Sequence, residues 1–587
     1  MNTEYWVIKN KKADFQRIMT ECGISEVLAR CLVNRGYEET EEIRDFLYPN
    51  LSKLSDPFLM KDMEKACSIL TAKMKAGAKI RIIGDYDVDG VVSTYLLYRT
   101  LHLLGADVDY DIPDRIMDGY GINIRMVEAA REAGVDTLLT CDNGIVAMDQ
   151  VLAAKNYGMT VIVTDHHNLL SLEDGDILLP EADAVINPKQ PECRYPFKGL
   201  CGAAIVFKLC QALLRDAVIP DKEDYFLELL SYTAIATVCD VMELVGENRI
   251  IVKHGLEQLK QTKNPGLLAL MEVSQVHREQ LSTFHLGFVI GPCLNASGRL
   301  DTAKKGLELL LAPDTEQALR LAEEVKGLNE IRKDMTSENV EKAVLLIEEG
   351  SYLQDKILVI YLQDCHESIA GIIAGRIRER YHRPTIILTD SEDGVKGSAR
   401  SIEQYNMIEG LTKVRDLLMK VGGHPMAAGL SLKAEQIEPL RRRLNEETAL
   451  TDDQLLPKVT IDIQLPFGFL TEELVKELKL LEPFGKGNEK PLFAEKNLKV
   501  KSVFLIGKNG NGLRFLLENT YGRQLEAVYF GDVEAFFSYI SDTYGASEAL
   551  KLKTGRGTDI RLTITYYPKI NEYNGFKSIQ LMIQNYR

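Results

Sequence analysis

The 587-residue sequence predicts an α/β protein. Two α/β domains, the first built on a parallel sheet, are joined by a long helix and followed by a β domain. Three patterns predict this. From Lys79, short apolar runs alternate with amphipathic stretches, the signature of strand–helix units in a parallel sheet covered on both faces. Roughly from Asp314 to Gly350 the chain is one polar run rich in Glu, Lys and Arg, which reads as a solvated helix bridging two domains. Residues 457–587 alternate β-branched and aromatic residues around Gly–Asn turns, as in FLIGKNGNGLRFLLEN, which reads as antiparallel β.

Taken in order, residues 1–76 read as helical and polar, with turns at Tyr48-Pro49-Asn50 and Asp56-Pro57, and are expected to pack on the first α/β domain, 77–313. Within that domain KIRIIG, DVDYDIP, VDTLLTCD, MTVIVTDHH and DAVINP are strands, and VVSTYLLYRTLHLLG, INIRMVEAAREAG and MDQVLAAKNYG are helices. Residues 203–261 are mostly helical. The connecting helix is assigned to 314–350, a second α/β domain beginning with KILVIYL to 351–455, and the β domain to 456–587.

Composition narrows the class. Apolar content of 45% and charged content of 27% are those of soluble globular protein. No stretch of about 18 apolar residues is present, so no membrane span is expected, and the opening residues lack the apolar run of a signal peptide. Ten scattered cysteines without a CxxC pair fit a reducing cytoplasm. The net charge of −16 is uneven: residues 484–587 hold 15 Lys/Arg and 10 Asp/Glu, a net of +5, which leaves −21 for the rest. An acidic body with a mildly basic module is compatible with an anionic polymer as partner.

The chemistry is concentrated at strand ends. Ile82-Ile83-Gly84-Asp85-Tyr86-Asp87-Val88-Asp89-Gly90 sets three alternating carboxylates between a strand and a helix. Such a run suits a divalent cation held by oxygen ligands; an acidic cap on the helix is the plainer alternative. Asp142 ends TLLTC, Asp165-His166-His167 ends TVIVT, and Asp240 lies in the apolar SYTAIATVCDVMEL. In an open parallel sheet the carboxyl ends of strands gather on one edge, which would bring Asp87, Asp89, Asp142 and His166 to one rim. Taken singly, Asp142 also suits a turn, the histidines a loop cap, and Asp240 a paired buried acid. Carboxylates with one or two imidazoles favour Mn²⁺ or Mg²⁺ over Zn²⁺. Cys141 and Cys239 leave zinc open, although both read as small core residues. Five or six ligands exceed the usual protein share of one metal, so two ions are expected.

GDYDVDG, CDNG, TDHH and the Asp of ATVCD resemble, in order, the four motifs of the DHH phosphoesterase superfamily. INPKQPECRYPFKGLCGAAIVFKL, GPCLNASGRL and LLEPFGKGNEKPLF are similar to its RecJ-type single-strand exonucleases, and the resemblance spans nearly the whole chain. It implies metal ligation by Asp85, Asp87, Asp89, Asp142, His166 and Asp240, with Asp142 bridging both ions and His167 beside the scissile phosphate. Catalysis would fall to Asp89, Asp142, His166 and His167. Many DHH relatives carry a His where Ile83 stands, and Asp85 would supply the missing ligand.

The second α/β stretch, with Cys365-His366-Glu367-Ser368-Ile369-Ala370-Gly371, Gly397-Ser398-Ala399-Arg400-Ser401 and Gly422-Gly423-His424-Pro425, resembles the DHH-associated domain. The resemblance implies that Ser398, Arg400 and Arg115 hold a 5′-terminal phosphate, that Arg299 touches the strand, and that His424 faces the cleft. Arg400 in a surface ion pair is the alternative. Arg376, Arg378, Arg380 and Arg383 read as a solvated helix face. The C-terminal domain resembles an OB-fold barrel, with Phe515, Tyr521, Tyr529, Phe530 and Lys501 as strand contacts or, for the aromatics, core.

The implied activity is 5′→3′ hydrolysis of single-stranded DNA to 5′-mononucleotides with two Mn²⁺ or Mg²⁺ ions, in repair and recombination. The implied state is a cytoplasmic monomer with a helicase and a single-strand-binding protein as partners. A DHH phosphodiesterase of short oligonucleotides or cyclic dinucleotides and a non-catalytic replication scaffold are the alternatives.

Overall fold

Five parallel strands carry the first α/β domain in the computed structural model. They are Ile80–Ile83 (β1), Val108–Asp111 (β2), Thr137–Cys141 (β3), Thr160–Thr164 (β4) and Ala184–Ile186 (β5), in the order β2-β1-β3-β4-β5. The structure describes residues 4–587 except 116, 172–174, 393, 508–509, 556–558 and 574. All five predicted strands are present. The strand order reverses between β1 and β3, which is where doubly wound sheets place their ligands.

Alternate residues point to opposite faces. Ile80, Ile82, Leu139 and Cys141 enter one core; Ile83, Leu138, Val161 and Val163 enter the other. Helix α1 (Val88–Leu103) is apolar nearly all round because it lies between the sheet and two further helices, Gly202–Leu214 (α4) and Lys222–Cys239 (α5). The opposite core takes helices Ile124–Glu132 (α2) and Met148–Asn156 (α3). Leu96 of α1 is fully buried, and its replacement by Ala would cost about 2–5 kcal/mol.

Gly291–Leu300 (α6) leads to Thr315–Glu349 (α7), a helix of 35 residues capped by Asp314, whose side chain accepts from the Gln317 amide. Its length is about 50 Å. It is not solvated throughout, as the sequence suggested. Ala318, Leu321, Ala322 and Val325 join the first domain's core, while Ala343, Val344 and Ile347 join the second's. Its many charges hide a buried stripe at each end.

The second domain has strands Leu358–Tyr361 (β6), Thr385–Ser391 (β7), Gly394–Arg400 (β8), Lys420–His424 (β9) and Ala427–Leu432 (β10) in the order β9-β10-β8-β7-β6. Helix α8 (Glu367–Tyr381) covers one face.

Residues 51–457 form one unit; residues up to 50 and 458–587 form the other. In the latter, Phe493–Ile506 (β11), Gly512–Glu518 (β12), Gln524–Tyr529 (β13), Arg561–Tyr573 (β14) and Phe576–Tyr586 (β15) close into a barrel through β11–β14 pairing. Lys508 and Asn509 of the predicted turn lie outside the described residues. Phe515 is core, and Tyr529 packs edge-on against Tyr586. Lys501 pairs with Glu518, and Tyr521 and Phe530 are exposed.

The expected packing of residues 1–76 is corrected. Met60, Met63, Ala66 and Leu70 do pack on the first α/β domain. Ile18, Leu28, Leu32, Ile43 and Phe46 instead share a core with Phe467, Leu478, Phe493 and Phe515. Tyr5–Ile8 pairs in parallel with Lys458–Ile461. An amphipathic helix declares that one face is covered but not by which distant segment. Among the described residues no helix is long and apolar enough to cross a membrane.

Candidate active site

Strands β1, β3 and β4 end level with one another: Ile83 lies beside Thr140, and Cys141 beside Thr164. The residues that follow therefore leave the sheet together. Asp87 caps α1, its Oδ1 accepting from the amides of Asp89 (2.9 Å) and Gly90 (3.2 Å). The helix-cap reading thus holds for this residue and leaves the ligand reading open, because a carboxylate has a second oxygen. Asp89 lies in the first turn of the helix and is buried. Its two oxygens accept from the amides of Gly202 (2.6 Å) and Ala203 (2.8 Å) at the N-terminus of α4, a favourable place for a carboxylate.

Asp142 adopts a left-handed backbone, φ 62°, a conformation Asp tolerates better than most residues. The turn this makes aims its carboxylate across the sheet edge. A Cβ at Gly202 would lie 2.6 Å from Asp142 Oδ1, so only glycine fits there. His166 Nε2 lies 3.2 Å from Asp142 Oδ1, 3.7 Å from Asp240 Oδ2 and 3.8 Å from Asp89 Oδ2. Asp240 sits at the C-cap of α5 and not inside the helix as the apolar run implied. Asp85 is buried, and its Oδ1 accepts from Gly121 N at 3.3 Å.

Three sets of donor atoms lie close enough to share a cation: Asp85, Asp87 and Asp142; Asp89, His166 and Asp240; and Asp142, His166 and His167. They overlap at Asp142 and His166. Burial, then the neighbouring carboxylates, push the Asp85 and Asp142 carboxyls well above the usual range. Burial pushes His166 down, which keeps its imidazole neutral and able to ligate. Asp142 Oδ1 and His166 Nδ1 are buried and make no hydrogen bond among the described residues. Oxygen donors that repel one another, with an imidazole and no thiolate, fit Mn²⁺ or Mg²⁺. Cys141 and Cys239 belong to none of the sets. Their thiols approach Thr94 Oγ1 and the Leu286 carbonyl, so nothing favours zinc.

His167 stands beside this cluster. Its Nδ1 is 2.7 Å from Asp165 Oδ1 and 3.0 Å from the Tyr120 hydroxyl. Burial alone would lower its pKa, but Asp165 outweighs burial and raises it to about 9. Asp165 also accepts from the amides of Ile145, His166 and His167, so it fixes the loop. Asp165, Tyr120, Asn143 and Gly202 were not singled out from the sequence as site residues. The sequence marks Asp165 as one more acid at a strand end but gives it no role of its own; the others act through reach that no local pattern encodes.

A second, mainly cationic wall borders a cavity of about 310 Å³ lined by Tyr86, Arg115, Glu367, Ser368, Lys396 and Ser398 among others, with Lys396 Nζ 2.9 Å from Glu367 Oε2. The first turn of α8 contributes Glu367, Ser368 and Ala370 to it. A Cβ at Gly371 would be 2.8 Å from both Arg400 Nη2 and Ser398 Oγ, so the small residue lets these two groups approach the helix. Arg400 Nη1 donates to the Ala399 carbonyl at 2.8 Å, and Arg299 Nη1 donates to the Ser368 carbonyl at 2.6 Å. No carboxylate among the described residues comes within ion-pair distance of Arg115, Arg299 or Arg400, so Arg400 is in no surface ion pair. Burial, then neighbouring arginines, push Arg299 and Arg400 down. Arg378 and Arg380 are tied to Glu379 and Glu348, and Arg383 to backbone carbonyls, on the solvated side. His424 is exposed at the end of β9 and does not line this cavity; in register it lies on the row of Ala427 and Arg400, two strands from the latter.

The chain matches the DHH family N-terminal domain at residues 79–237, the DHHA1 domain at 354–449 and the RecJ OB domain at 461–585. It is 37% identical over 585 residues to the single-stranded-DNA-specific exonuclease RecJ of Bacillus subtilis, covering 99% of this chain and 70% of that one. It is 33% identical over 579 residues to the Escherichia coli RecJ, covering 95% of each. The crystal structure of Thermus thermophilus RecJ in complex with Mn²⁺ superposes with a TM-score of 0.81 at 27% identity, covering 99% of this chain and 79% of that one. The chain belongs to the RecJ family of single-stranded-DNA-specific exonucleases.

Proposed function

We propose that this chain hydrolyses single-stranded DNA from the 5′ end in the 5′→3′ direction, releasing 5′-mononucleotides. The observation that carries the reading is the overlap of three sets of metal donors at Asp142 and His166, together with a cavity beside Tyr86 lined by Arg115, Lys396 and Ser398. Asp85, Asp87 and Asp142 would hold one Mn²⁺ or Mg²⁺; Asp89, His166 and Asp240, with Asp142 between, would hold the other. Bound there, two such cations supply Lewis-acid activation of water and neutralise charge developing on a phosphodiester.

The chain's own groups do the rest. Arg115, Ser398 and Arg400 take the terminal phosphate by charge-assisted hydrogen bonds, and Arg299 takes the strand. His167, held by Asp165 and Tyr120, faces the scissile group as a donor. The OB-type barrel follows the rest of the strand. A dinucleotide would have no use for such a barrel, which argues against a small-substrate phosphodiesterase. All the metal-donor residues stand, which argues against a scaffold. The protein acts as a cytoplasmic monomer in DNA repair and recombination, with a helicase and a single-strand-binding protein supplying and coating its strands.

Strands labelled at either end, incubated with Mn²⁺ or with EDTA, test the reading. Mononucleotide release from the 5′ label first, abolished by EDTA, is expected. Release from the 3′ label first, or cleavage in EDTA, would overturn it.

A further inference from the structure

The loop between β2 and α2 touches both walls of the site. Arg115 lines the phosphate cavity and lies with its Cζ 4.6 Å above the Tyr86 ring. Tyr86 stands between Asp85 and Asp87 in the chain, and Tyr120 meets its ring nearly at right angles with centroids 6.3 Å apart. The Tyr120 hydroxyl donates to the Asp142 carbonyl at 2.7 Å, which holds the left-handed turn that aims this carboxylate. The next two amides continue the attachment: Gly121 N donates to Asp85 Oδ1, and Ile122 N to Asn143 Oδ1 at 3.2 Å. Asn143 in turn donates to the carbonyls of Ile83 and Cys141, the last residues of β1 and β3. On the far side the Tyr86 backbone is pressed by α6, where a Cβ at Gly298 would lie 2.4 Å from the Tyr86 carbonyl oxygen.

Two aromatic rings thus fill the space between the guanidinium that meets the terminal phosphate and the carboxylate shared by the metal-donor sets. Arg115 has no carboxylate within ion-pair distance among the described residues, so its position depends on the Tyr86 ring and on whatever anion enters the cavity. An anion there fixes Arg115, Arg115 fixes Tyr86, and Tyr86 fixes Tyr120 against Asp142. We propose that Tyr86 and Tyr120 are positioning residues that transmit occupancy of the terminal-phosphate cavity to the metal-donor cluster, so that a 5′-phosphate accelerates turnover and not only binding. The inference rests on the exonuclease reading.

The experiment compares otherwise identical 20-nucleotide strands bearing a 5′-phosphate or a 5′-hydroxyl. Turnover with saturating Mn²⁺ and Kd in EDTA by fluorescence anisotropy are both measured. In the unmodified protein, kcat on the phosphorylated strand is expected to be about tenfold higher, a typical coupling between sites. In Tyr120→Phe the kcat ratio falls below about twofold, while each Kd in EDTA stays within about twofold of the unmodified protein; Tyr86→Leu, which also unseats Arg115, lowers the ratio as well. Tyr86→Phe, which keeps the ring, keeps the ratio; a general folding defect would not follow this pattern. Arg115→Gln combined with Tyr120→Phe should be no slower on the phosphorylated strand than the poorer single variant. Effects that instead multiply to within about twofold mark independent sites and overturn the relay, as does a kcat ratio near one in the unmodified protein. An unmodified protein that cleaves neither strand overturns the exonuclease reading itself, a result distinct from either.

Discussion

The two walls of the site are built on the same principle with opposite sign. On the sheet edge, carboxylates crowd until burial and mutual repulsion raise Asp85 and Asp142. Across the cavity, burial and neighbouring arginines lower Arg299 and Arg400. Each wall alone is electrostatically unfavourable, and Asp87 only partly offsets the lowering of Arg299. The acidic wall calls for cations and the basic wall for an anion. A phosphodiester strand carried in with divalent metals supplies both, so the free protein holds energy that substrate and metal release on binding.

Breaking the acidic wall should have the largest effect. Asp142→Asn is expected to lower kcat at least ~1,000-fold through loss of the shared ligand. Strand affinity in EDTA should be unchanged or tighter, since one repelling charge is gone; single-turnover kinetics and anisotropy separate the two. Breaking the basic wall should act on recognition. Arg400→Ala is expected to lower kcat/KM for 5′-phosphorylated strands about 10–100-fold, the worth of a charge-assisted hydrogen bond, with a much smaller change for 5′-hydroxyl strands.

The pH dependence of the metal-free protein sharpens the comparison. Asp85 and Asp142 hold protons in the folded state that the unfolded chain releases near pH 4, so their contribution to stability is lost as pH rises. His167, raised to about 9, contributes fully below about pH 6.5 and loses its contribution as pH climbs toward 9. His166 is shifted the other way and partly offsets this. In EDTA the melting temperature should therefore fall from pH 5 to pH 8, by about 3–5 °C, and saturating Mn²⁺ should flatten the slope. The smallest effect concerns the basic wall's extension. Arg332 is lowered by burial and by Arg376 nearby. Replacing either with Gln should make strand binding less sensitive to salt, the log–log slope falling by about 0.7 for each phosphate that is no longer neutralised.

The acidic wall was legible because it obeys a local rule. Asp85, Asp87, Asp142, His166 and His167 each follow an apolar strand, and strand ends in a parallel sheet converge. Asp240 stood out as an acid in an apolar run, but its role as a ligand came only by resemblance, and its place at a helix C-cap was not foreseen. The basic wall was legible only in its arginines and Ser398. Lys396 and Tyr86, which line the same cavity, carry no pattern of their own. Least legible were groups defined by approach: Gly202, whose missing side chain makes room for Asp142, and Tyr120, whose hydroxyl reaches across from another loop. The packing of residues up to 50 was misplaced for the same reason. Their buried face is evident in the sequence, whereas its partner lies hundreds of residues away.

That partnership has a consequence during synthesis. The helices before Asn50 leave the ribosome with their apolar faces bare, and their covering begins only at Lys458. Between the two come about 400 residues, roughly 20–80 s of translation. The nuclease body can thus fold first, as an insert within a barrel domain that is still half unmade. For that interval Leu28, Leu32 and Phe46 form a sticky surface, and aggregation or chaperone capture of the nascent chain is the hazard this topology accepts.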